Sequence, residues 1–152
     1  MTARLMVTLL LATPGVVSAQ QDGMVRVRSA RAMDATVSAL DSALAARKLT
    51  LFARVDHAAN ARGVGMELRP TVVFIFGNPM AGTRVMQCGQ TAGLDLPLRL
   101  LVWKDDADAV WIGYEDPSRL AARHGIGACA EPLERMRTGL AGLAREAAGG
   151  TP

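Results

Sequence analysis

Nowhere does the sequence hold the ~20 consecutive apolar residues that a membrane-spanning helix needs. It also has no Cys-x-x-Cys, no His-x-x-x-His, no Met-x-x-Met and no block of like charge. Each absence removes a class. Without a run of Lys and Arg there is no electrostatic stripe for nucleic acid and no polybasic anchor for lipid. Without paired ligands at helical or hairpin spacing, His57, His124, Met80, Met86 and Cys88 form no sequence-level metal site, although their donor types would suit copper or zinc. Asp105, Asp106 and Asp108 lack the glycine and closing glutamate of a calcium loop, so they predict a solvated hairpin turn.

A further absence concerns the stretch FIFGNPMAGTRVMQCG at residues 74–89. The spacing of Gly77 and Gly82 followed by Thr83 imitates a phosphate-binding loop placed after a strand. Thr83, however, stands where the phosphate-binding lysine belongs, and Pro79 removes one N–H from the anion cradle. The expectation is a tight turn in which Asn78 bonds its own backbone, with no cargo of its own.

What is present begins at the N-terminus. Arg4, the apolar residues Leu5 to Ala12, the Pro14-Gly15 break and the small residues Val17-Ser18-Ala19 form the three-part pattern of a secretory leader cut after Ala19. Residues 20–152 then make one exported domain, expected in a periplasm and free of the membrane, large enough to bury a core unaided. Loss of Arg4 lowers the net charge of +3 by one, leaving a nearly neutral chain with interspersed signs. Export also favours a bridge between Cys88 and Cys129, because an oxidising compartment lets it persist. A thiol pair serving a metal or a redox partner is the alternative.

Periodicity supplies the elements. Met24 to Ser29 alternates as a strand. Met33, Val37, Leu40 and Leu44 form a helical stripe running to Lys48, with Asp34 in the first turn and Arg47 and Lys48 in the last. Residues 49–55 read as a second strand and 56–65 as a short helix stopped by Gly63 and Gly65. A third strand covers 71–76, and Thr83 is the expected cap of a brief helix over 83–88, closed by Gly89. The apolar run Leu98–Trp103 reads as a strand buried on both faces, joined as a hairpin to 109–114. Asp116 and Pro117 open another helix, ended by Gly125. Leu133, Met136, Leu140, Leu143 and Ala147 stripe the last one, closed by Gly149 and Gly150. This order implies an α+β fold: a single, largely antiparallel sheet with helices packed on one face.

The segments RVDHAANARGVGMELRPT, VFIFGNPMAGTRVMQ, LDLPLRLLVW and YEDPSRLAARHGI, in this order, resemble the family called domain of unknown function 302 over roughly residues 25 to 145. The resemblance implies a compact α+β domain that tends to form homodimers, and it implies no particular reaction. Two departures stand out. Lys104 follows the strand tryptophan where the family usually has an acid, and Lys48-Leu49 precede the second strand where it commonly has a glycine. The cysteines are no part of the family motif.

Within these segments Asp56, His57, Asn78, Thr83, Asp95, Tyr114, Asp116 and His124 form a candidate polar cleft, provided that their loops converge. If they do not, Asp56 and Asp116 cap helices, Asn78 and Thr83 hold a turn, and the histidines pack near helix ends. The reading that follows is a small exported ligand-binding or protein-interaction module with no cofactor and no metal. The alternatives are an acid-base enzyme using Asp56, His57 and His124, and a soft-metal or thiol redox protein of the periplasm.

Overall fold

Six antiparallel strands form one sheet in the computed structural model, which describes residues 17–19 and 23–150. In chain order they are β1 (Val17–Ala19), β2 (Met24–Arg28), β3 (Thr50–Asp56), β4 (Thr71–Gly77), β5 (Leu98–Lys104) and β6 (Val110–Glu115). Their spatial order is β1-β2-β6-β5-β4-β3. The helices are α1 (Met33–Ala46), α2 (His57–Gly63), α3 (Pro79–Cys88), α4 (Ser118–His124) and α5 (Ala130–Ala147). The leader expected over residues 1–19 lies outside the described residues except for Val17–Ala19, whose backbone pairs with Val25–Val27.

Period-two burial orients the sheet. Phe74 and Phe76 of β4, Leu100 and Val102 of β5, Ile112 and Tyr114 of β6 and Val27 of β2 all point to one face. There they meet Leu40, Ala43 and Leu44 of α1 and Leu140, Leu143, Ala144 and Ala147 of α5. The alternate residues Leu101, Trp103, Trp111, Val73 and Ile75 face the other way and are only half-buried, with Trp103 and Trp111 stacked 6.5 Å apart. The Leu98–Trp103 run is therefore buried on one face, not on two. An antiparallel sheet leaves one face open to water in this way, and apolar side chains on it keep partial exposure.

A second, smaller cluster of Val85, Ala92, Leu120, Ile126 and Leu133 joins α3, α4 and the start of α5 beyond one end of the sheet. A 3-10 turn over Gln90–Leu94, which no periodic pattern announces, contributes Ala92 to it. Gly89 is required where it stands, because a Cβ there would come within 2.6 Å of the Ile126 side chain.

Three boundaries depart from the sequence reading. First, α1 ends at Ala46, so Arg47 and Lys48 lie beyond its last turn. Leu49 N bonds Leu44 O while Lys48 N bonds Ala45 O, a closing pattern that needs a left-handed residue, and Lys48 takes φ 52°. A glycine would adopt that conformation without the ~1–2 kcal/mol steric cost of a side chain. Second, α3 opens at Pro79 and not at Thr83, since Asn78 is the stronger start signal. Third, α4 opens at Ser118, with Asp116 Oδ1 accepting from Ser118 N at 2.8 Å.

The acidic hairpin turn is organised by Asp105. Its Oδ1 accepts from Ala107 N and Ala109 N, both at 2.9 Å, and its Oδ2 from Trp111 Nε1 at 2.7 Å. These bonds, the tryptophan's first, hold the carboxyl below its ordinary value. A depressed folded-state value means stability that is complete above the unfolded value, about 3.9 for aspartate, and is lost as pH falls through the folded one. Asp105→Asn should therefore flatten the acid limb of the stability curve below that value. An unchanged acid limb, followed by tryptophan fluorescence from pH 5 to pH 2, would show that these bonds carry no linkage.

Candidate functional site

Strand register sorts the polar residues of the motif into two groups. Asp56 pairs with Val72 at one end of β4, whereas Thr50 pairs with Gly77 at the other. Phe76 pairs with Leu98, so Asp95, just before β5, lies at the same end as Gly77 and Asn78. Tyr114, Asp116 and α4 follow the β6 end that returns to that side. Asn78, Thr83, Asp95, Tyr114, Asp116 and His124 thus share one end of the sheet. Asp56 and His57 occupy the opposite end, about 13 Å along the strand from Val72 to Phe76 alone.

At its own end, Asp56 caps α2 by accepting from Ala59 N at 2.8 Å, and His57 is exposed. His124 is different. Its side chain is 4 % exposed; Nε2 lies 2.6 Å from Asp95 Oδ2 and Nδ1 lies 3.0 Å from Thr91 Oγ1. In a neutral ring the carboxylate fixes the proton on Nε2, and Nδ1 then accepts from the threonine hydroxyl. Asp95 also accepts from Arg123 at 3.0 Å. Both imidazole nitrogens are engaged, so the assembly clasps the 3-10 turn to α4. Among the described residues no hydrogen bond links His124 with His57. Tyr114 is buried, and that burial, with Asp116 nearby, raises its hydroxyl above the ordinary value.

Asn78 does what the turn reading asks and more. Its Oδ1 accepts from Met80 N at 3.0 Å and Ala81 N at 3.2 Å, satisfying two first-turn donors, while Pro79 at the first helical position has no N–H to leave unpaired. Thr83 is consequently a mid-helix residue.

The segment expected to serve only as a turn is also one wall of a groove with a volume of about 590 Å³. Met80, Gly82, Thr83, Arg84 and Met86 of α3 face Pro132, Arg135, Met136 and Gly139 of α5. The buried Phe76, Leu140 and Leu143, with Leu98, form the floor, and Arg47, Leu49, Phe52, Leu96 and Pro97 complete the lining. Gly82 and Gly139 have open space where a Cβ would stand. The bridge Cys88–Cys129 ties the last residue of α3 to the residue preceding α5, with Cα atoms 6.3 Å apart. It thereby joins the two walls, and it takes up the thiols that a soft-metal reading would need. Of the polar candidates, only Asn78 and Thr83 line this groove. The sequence reading missed Arg84, Arg135 and Met136 because nothing local marks residues on separate helices as neighbours.

An antiparallel sheet carrying α1 and α5, with a largely apolar groove between α3 and α5, defines a small α+β domain. The chain belongs to the family described as domain of unknown function DUF302, whose profile matches residues 25–143. Its fold is that of the crystal structure of an uncharacterized conserved DUF302 protein from Bacillus stearothermophilus, with a TM-score of 0.75 at 20% identity over 82% of this chain and 98% of that one. Over 137 residues it is also 38% identical to the fluoride-specific ion channel FluC 1 of Brucella suis biovar 1 (strain 1330), a match spanning 90% of this chain and 54% of that protein. The same identity holds for FluC 1 of Brucella abortus biovar 1 (strain 9-941), of which 51% is covered. The chain spans about half the length of these relatives.

Proposed function

We propose that the protein is an exported ligand-binding module whose site is the groove between α3 and α5. One observation carries this reading: the motif segment Gly77–Met86, which begins with a capped and rigid helix start, lines a concave and mostly apolar space of the size that holds small ligands. Export is supported by the leader pattern and by a disulfide, which lasts in an oxidising compartment. Fluoride conduction is not carried over to this chain, which spans about half the length of the Brucella relatives. No helix of the described residues is long and apolar enough to cross a membrane.

The test is a neutral apolar fluorophore, N-phenyl-1-naphthylamine, titrated into the full chain. Saturable one-to-one binding is expected, lost in Gly139→Phe, which fills the groove from a position with open space. Equal binding by a Gly139→Phe variant with unchanged circular dichroism would place the site elsewhere.

A further inference from the structure

The charge of the groove is one-sided. Its lining contains no carboxylate, and its charged members are Arg47, Arg84 and Arg135. Two of these are already neutralised from outside the groove: Arg47 by Glu146 at 2.6 Å and Arg135 by Glu131 at 2.7 Å. Arg84 has no ion pair and no side-chain hydrogen bond among the described residues, although it stands in the α3 wall beside Met80 and Met86. A guanidinium at the edge of an apolar space, with five donors and no partner, is complementary to a carboxylate or phosphate, and it repels a cation. The remaining lining is apolar and adaptable, with three methionines, Met80, Met86 and Met136, whose unbranched side chains follow a flexible ligand.

Resting on the groove reading above, we infer that the occupant is a single-chain anionic amphiphile: an unbranched alkyl tail with one terminal carboxylate. The head lies on Arg84, and the tail runs over Phe76, Leu140 and Leu143. A planar, polar anion would leave the floor unfilled. A neutral hydrocarbon would leave Arg84 without a partner. The one-sided charge and the continuous apolar floor together select a molecule that has both parts.

Displacement of N-phenyl-1-naphthylamine from the full chain reads this directly, with octanoate, decanoate and laurate below their micellar concentrations. Each added methylene should tighten binding about fourfold, the value of one buried CH₂. Decanoate should exceed both decanol and decyltrimethylammonium by about tenfold or more, the value of a charge-assisted hydrogen bond. Arg84→Met should abolish that preference, read as the ratio of decanoate to decanol affinity within the variant. If decanoate, decanol and the ammonium compete equally, the anionic class is wrong and the groove reading stands. If none displaces the fluorophore and Gly139→Phe still binds it, the groove reading itself has failed. Sedimentation with phosphatidylglycerol vesicles separates the source of the chain. Association lost in Arg84→Met would mean that the acyl chain belongs to a bilayer lipid, against the free carboxylate argued here.

Discussion

Phe76→Ala should cost about 3–5 kcal/mol of unfolding free energy, the usual range for truncating a buried phenylalanine. A domain of this kind has only about 5–15 kcal/mol to lose. Phe76 is 2 % exposed and belongs at once to the main core and to the groove floor. It pairs with Leu51 on one side and with Leu98 on the other, so its neighbours are fixed by backbone bonds and cannot collapse into the space left behind. Urea denaturation should show a lower midpoint at constant slope, which separates a true loss of stability from a change in the unfolded state. Phe76→Leu, closer in volume, should recover most of the loss. A decrease below about 1 kcal/mol in Phe76→Ala would mean that the ring is not packed as described.

The second large effect belongs to the bridge. Cys88 and Cys129 are 41 residues apart, and closing a loop of that length stabilises by about 4 kcal/mol in the chain-entropy model. The Cys88→Ala/Cys129→Ala double variant should lose that amount. The wild type in reductant should match the variant, and reductant should leave the variant itself unmoved. A functional loss should accompany the structural one, because the bridge holds the end of α3 against the start of α5. Affinity for the neutral fluorophore should fall in the double variant at temperatures where it remains folded. Wild type and variant unfolding within about 1 kcal/mol of each other would remove the bridge from the account of stability.

Much of the fold was legible because its signals are local. The stripe Met33, Leu40, Leu44 packs as its spacing requires, with Thr36 and Ala43 filling the intervening turns. Asp56 caps α2 from the residue before it, and the stripe of α5 is buried at Leu133, Leu140, Leu143 and Ala147. The bridge followed from compartment chemistry alone. Where the reading slipped, two local signals competed. Asn78-Pro79 and Gly82-Thr83 both resemble helix starts, and the first prevails because it couples an accepting side chain to a residue with no N–H. The 3-10 turn at Gln90–Leu94 has small and polar residues apart from the exposed Leu94, and it carries no period. The clasp of His124 with Asp95 and Thr91 spans 29 and 33 residues, beyond any sequence window. The groove is less legible still, since its lining comes from β3, β4, α3, β5, α5 and the connections that follow α1 and precede β5.

Gly82 and Gly139 bear on how such a site diversifies. At each, a hydrogen occupies the place of a side chain, and the space beyond is vacant. The bore of the channel between the helices is therefore set by two bare backbone positions on opposite sides. Methyl, isopropyl or ring substituents at either one would narrow it stepwise while the packed interior beneath is left alone, so the width between the helices can change without cost to the integrity of the scaffold.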